Sequence, residues 1–184
     1  TPPTGDNRDR YVQAKLKIMS LLKSLFGSKN SQPQKKEISD FFKINLKEIP
    51  DETFEIVGEE ENVSGTEVKT YEKQLDYKEC GLFDIIEVRV IGDNNNKNVS
   101  FRNYDPDNIN MTEMKNLINS IFQMYGPDDN KKGKFNQKDI TDYKDPDFNM
   151  LFGRRWNDYP KFKQPIAIQR DEENVEIAIW NANQ

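Results

Sequence analysis

The sequence predicts an α+β domain: a mainly antiparallel sheet of about five or six strands with one amphipathic helix packed on a face. Three observations carry it. LFDIIEVRVIG, from Leu82, is the densest β-branched stretch in the chain; after the polar interruption GDNNNKN it resumes as VSFRNY, so it reads as a strand, a turn and a return strand. Ile166 and Ile168, then Val175, Ile177 and Ile179, alternate with other residues on either side of the turn RDEEN, a second hairpin with one strictly apolar face. Between the hairpins, Met111, Met114, Leu117, Ile118, Ile121, Phe122 and Tyr125 recur at helical spacing and form a single apolar stripe.

From the N-terminus, TPPTGD is expected to be extended. Over Arg8 to Phe26 the residues Tyr11, Ala14, Ile18, Leu22 and Leu25 recur at three- and four-residue steps with lysines between them, which predicts a basic amphipathic helix stopped at Gly27. Packing on its own domain suits this helix best; an anionic membrane surface or a partner's groove is the other use of such a pattern. Met19 opens MSLLKSLFG, which reads as the start of a small bacterial protein, so residues 1–18 are expected to be a leader or an expression remnant. SKNSQPQKK has linker composition. The expected division is therefore a basic helix and linker over 1–36 and a single α+β domain over 37–184.

Within that domain, EISDFFKINLKEIP predicts a short helix from Ser39 to Leu46 anchored by Phe41, Phe42 and Ile44 and limited by Pro50. Phe54–Val57 is a short strand, and GEEENVSG reads as a solvated acidic turn. Thr66–Tyr77 alternates imperfectly and carries lysines, as a sheet edge does. The strand from Leu82 is apolar on both sides and belongs inside the sheet. Asn110 stands as N-cap of the long helix with Glu113 three residues on, and Gly126-Pro127 ends it. Lys131–Met150 is loop-like with one helical turn near Gln137–Tyr143. The two hairpins are placed in one sheet.

Composition narrows the chemistry. Among 184 residues there is no histidine and one cysteine, Cys80, which removes the commonest general base, zinc and iron–sulfur centres, and any internal disulfide. A reducing, cytoplasmic setting fits. No phosphate-cradling glycine loop is present. No apolar run reaches the ~20 residues needed to span a bilayer. The net charge of -5 conceals an asymmetry: residues 1–36 hold eight Lys/Arg against two Asp, and the remainder holds 19 basic and 30 acidic residues, or -11. An acidic body repels nucleic-acid phosphates and attracts a basic protein partner.

Two constellations stand out. Asp128–Asp139 (DDNKKGKFNQKD) follows the long helix with Asp128, Asn130, Gly133, Asn136 and Asp139 at positions one, three, six, nine and twelve. It resembles the calcium-binding loop of an EF-hand, a resemblance that would make Asp128, Asn130, Asn136 and Asp139 the Ca²⁺ ligands. Lys132 stands at the fifth position, Asp139 is shorter than the usual glutamate, and no second loop accompanies it. The other reading is a helix-terminating loop in which the Asp and Asn residues make turns. The second constellation is GRRWNDYPKFK: Arg154, Arg155, Trp156, Tyr159 and Phe162 are the types that dominate protein-binding hot spots, and Asp158 can pair with either arginine. Trp156 and Phe162 also suit core positions. The expectation is a non-catalytic intracellular protein-binding module, immunity- or adaptor-like, requiring no cofactor. A calcium-responsive module and a carboxylate-dependent hydrolase are the alternatives.

Overall fold

The computed structural model describes residues 38–92, 96–144, 152–157 and 164–182. The helix expected at Arg8–Phe26 lies outside them. Seven strands form one antiparallel sheet: β1 (Glu55–Glu61), β2 (Glu67–Glu79), β3 (Phe83–Ile91), β4 (Asn96–Asn103), β5 (Gly153–Trp156), β6 (Ile166–Arg170) and β7 (Val175–Ile179), in the spatial order β1-β2-β3-β4-β7-β6-β5. The helices are α1 (Met111–Tyr125) and α2 (Gln137–Lys144). The class is α+β, as the patterning predicts, with seven strands instead of five or six; the additional one is β5, inside the aromatic-basic segment.

Alternation decides which face is buried. Register pairs Ile86 with Phe101, Val88 with Val99, Val99 with Ile179, Phe101 with Ile177, and Ile177 with Ile168. Directly opposed residues share a face, so these side chains line one surface, and all are fully buried. Met114, Leu117, Ile118 and Ile121 of α1 join the same core. The opposite face carries a polar ladder across four strands: Gln169 donates to Glu176 (2.5 Å), Arg102 Nε donates to Glu176 (3.0 Å), and Arg102 grips Glu87 through both terminal nitrogens (2.7 and 3.2 Å). The strand expected inside the sheet, β3, is flanked by β2 and β4. Thr66–Tyr77, expected at the edge, is one strand further in, because GEEE continues β1 to Glu61 and supplies the partner for β2. Only Asn62–Thr66 is turn, braced by Asn62 Oδ1, which accepts from the Ser64 and Thr66 amides (both 3.0 Å).

The long helix has the predicted ends. Asn110 Oδ1 accepts from the amides of Thr112 (2.9 Å) and Glu113 (3.4 Å), and Gly126, at φ 80°, donates its N–H to Phe122. The helix expected at Ser39–Leu46 is a single 3-10 turn, Ile38–Phe41, followed by irregular chain. Its buried residues Ile38, Phe42, Leu46 and Ile49 keep helix-like spacing. Its backbone groups, however, bond to the sheet. Glu79 Oε1 accepts from the Lys43 amide (3.1 Å), while buried Lys97 Nζ donates to the carbonyls of Lys47 (3.0 Å) and Ile49 (2.7 Å). Phe42 stacks on Phe101 with ring centroids 4.3 Å apart.

Candidate functional site

Strand period alone separates the residues of the aromatic-basic segment. On β5, Arg154 pairs with Ile168 and Trp156 with Ile166, which puts both side chains on the core face; Arg155, opposite Ala167, faces out. Arg154 is 1% exposed and Trp156 fully buried, whereas Arg155 is exposed. Trp156 Nε1 donates to the Gly126 carbonyl at the end of α1 (3.0 Å). Tyr159, Phe162 and Asp158 lie outside the described residues. Of the three singled-out residues that are described, Arg154 and Trp156 are buried in the fold and Arg155 is exposed.

The EF-hand-like loop is built around that same Arg154. Its Nε and one terminal nitrogen grip Asp139 in a two-pronged pair (3.0 and 2.8 Å), and the other terminal nitrogen reaches Asp128 (3.2 Å) and the Gly133 carbonyl (3.0 Å). Both carboxylates are buried, at 4% and 2% exposure. Asp128 also accepts from the Lys132 amide (2.7 Å). Asn136 and Asp139 make a reciprocal cap on α2: Asn136 Oδ1 accepts from the Lys138 amide (2.8 Å) while Asp139 accepts from the Asn136 amide (2.9 Å). Asn130 is exposed. The sequence pattern therefore marks carboxylates that converge on a cation, and the cation in place is a guanidinium. A bound Ca²⁺ would have to displace it. Among the described residues no group of three or more Cys, Asp or Glu side chains stands where it could hold a metal ion.

The loop has a second duty. β5 is the last strand on its side, and its outer edge is covered: the Asp129 amide donates to the Arg155 carbonyl (2.8 Å), and Asp129 Oδ1 accepts from the Asn157 amide (3.1 Å). An edge closed in this way is protected from adding another strand. At the other side of the sheet, no further strand pairs with β1 among the described residues.

That strand is the site the sequence reading passed over. Every residue of β1 is exposed except Gly58, which is half-buried. Ile56 and Val57 are 56% and 55% exposed, and Val63, at the tip of the braced turn, is fully so. Glu55, Glu59, Glu60 and Glu61 surround them. Glu60 pairs with Arg89 (2.6 Å), and Glu59 and Glu67 flank Lys69 (3.8 and 3.3 Å). The signal was present as Ile-Val directly before GEEE; a run of glutamates hid it, because an edge strand exposed on both faces has no apolar alternation to display.

No protein-family model, curated protein or solved structure matches this chain. Among the described residues no helix is long and apolar enough to cross a membrane.

Proposed function

We propose that this chain is a non-catalytic protein-binding module of the immunity or adaptor kind, acting in a reducing compartment and occluding or tethering its partner through the β1–β2 ribbon. One observation carries the reading: Ile56, Val57 and Val63 are solvent-facing apolar side chains on a ribbon held by seven-strand pairing and a braced turn. Apolar side chains fixed in place cost little entropy to bury in an interface. The acidic surroundings favour a basic partner and raise its rate of encounter. Arg155, exposed on the opposite edge strand, is the contact that the described part of the aromatic-basic segment offers.

The test is site-specific photo-crosslinking in the native cell. A photoreactive residue in place of Val57, or of Arg155, is expected to give a discrete adduct identified by mass spectrometry. The same residue in place of Lys115, exposed on α1, is expected to give none. If positions 57 and 155 yield only what position 115 yields, the binding reading is wrong.

A further inference from the structure

The pairing of β1 with β2 fixes which way its main-chain groups point. Glu67 of β2 directs its carbonyl to the Gly92 amide (2.8 Å), on the far side of β2 from β1. Glu67 is the register partner of Glu61, so Glu61↔Glu67 is a pair whose main-chain groups point away from each other. The Asn62 amide donates to Thr66 (2.9 Å) in the next pair, which agrees with that phase. Strand period then turns the N–H and C=O of both Glu59 and Glu61 outward from the sheet. The register shift between Ile56 and Gly58 interrupts the ladder at Val57, so this outward row occupies the C-terminal half of β1 beside the exposed Ile56-Val57 pair.

We propose that β1 is the docking edge for an extended, basic segment of a partner protein, which adds to the sheet as an eighth strand. This deepens the binding reading above and rests on it. Main-chain hydrogen bonds from Glu59 and Glu61 supply the pairing, and the flanking side chains select the occupant. Charge decides which occupant that is. A second copy of the chain pairing β1 on β1 would set four glutamates against four, and directly opposed like charges destabilise a strand pair. A lysine- or arginine-bearing strand meets Glu55 and Glu61 with opposite charge and shares Glu59 and Glu60 with Lys69 and Arg89, and its apolar residues cover Ile56 and Val57. The edge is thereby closed to self-association and open to a partner of one sign.

The probe is a fluorescent seven-residue peptide alternating lysine and valine with blocked ends, titrated against the full chain by anisotropy at low salt. Two companions accompany it: the same peptide N-methylated at alternate amides, which keeps charge and apolar surface but cannot donate to a ladder, and a glutamate–valine analogue. The basic peptide is expected to bind, to weaken steeply with added salt, and to protect the Glu59 and Glu61 amides from hydrogen exchange. Two lost hydrogen bonds make the N-methylated peptide weaker by about tenfold or more, and the glutamate analogue is expected not to bind. In the chain itself, Glu59→Lys/Glu61→Lys is expected to abolish binding of the basic peptide, with the far-ultraviolet dichroism unchanged. Equal affinity for the methylated peptide overturns strand addition and leaves a simple charge contact. Absence of binding, or protection elsewhere, also overturns it. If position 57 or 155 still crosslinks in the cell when no basic peptide binds, only this inference falls; without a crosslink at either, the binding reading falls too.

Discussion

Arg154 ties three parts of the fold together. It is a buried cation between two buried carboxylates, joining the start of the 128–139 loop, the first turn of α2 and edge strand β5. Desolvating three charges is costly, and the pairs offset this only while all the members remain. Arg154→Met is therefore expected to lower unfolding free energy by about 3–5 kcal/mol, since it strands Asp128 and Asp139 without a counter-charge. Adding Asp128→Asn and Asp139→Asn to that variant should recover part of the loss, because two amides replace two unpaired anions; urea denaturation of the three proteins measures both effects. The same geometry predicts that millimolar Ca²⁺ leaves the melting temperature of the wild-type chain unchanged. A rise that Asp128→Ala abolishes would show the ion displacing the guanidinium.

At the level of elements, what could be read in the sequence follows from what each element buries. In α1 a single apolar stripe, an N-cap and a Gly-Pro stop all agree, and the structure has each of them. Asn110→Ala removes the acceptor of two amides and is expected to cost about 1 kcal/mol in urea denaturation, with the denaturant slope unchanged. Strands β4 and β7 were legible because their alternation coincides with one buried face, and β6 because its isoleucines alternate, although Ala167 between them is buried too. β5 was not legible: one of its two core-facing residues is an arginine, whose buried charge reads as surface. β1 was missed beyond Val57 for the opposite reason, since it buries almost nothing. The segment after Ile38 misleads in a third way. Ile38, Phe42, Leu46 and Ile49 have helical spacing, but Glu79 and Lys97 take the backbone groups a helix would have used among themselves. The sequence reading gave Asp128, Asn136 and Asp139 to one site and Arg154 and Trp156 to another; the fold sets Arg154 between Asp128 and Asp139, a contact that no local pattern displays.

For the whole molecule, the seam between the 38–54 segment and the sheet governs behaviour at high pH, because several groups that titrate there lie along it. Burial, with Glu79 and Glu113 nearby, pushes the Cys80 thiol up from 9.0 to about 12, and Cys80 faces the Phe41 carbonyl (3.8 Å). Burial and the hydrogen bond to Glu79 push Tyr77 up from 10.0 to about 12, while Lys43 Nζ lies 4.7 Å from the centre of its ring. Deeper in the fold, burial also raises Tyr143. A raised pKa means the folded state holds its proton more tightly than the unfolded chain, so the stability it contributes is complete below the unfolded value and is lost as pH rises through the folded one. For Cys80 the loss runs from pH 9.0 to about 12, and for Tyr77 from 10.0 to about 12. Lys97 acts in the other sense: desolvation lowers its pKa below 10.5, so its ammonium opposes folding at neutral pH and that opposition fades as the group deprotonates. Among the described residues, three acids are raised and one lysine is lowered. The urea midpoint should therefore fall from pH 9 upward, and Cys80→Ser, which has no thiol to ionise, should make that fall shallower without moving the midpoint at pH 7 by a comparable amount. Lys97→Met should steepen it, by removing a group that gains. A midpoint independent of pH up to 11, or an identical slope in Cys80→Ser, would mean that this seam is not what holds the 38–54 segment against the sheet.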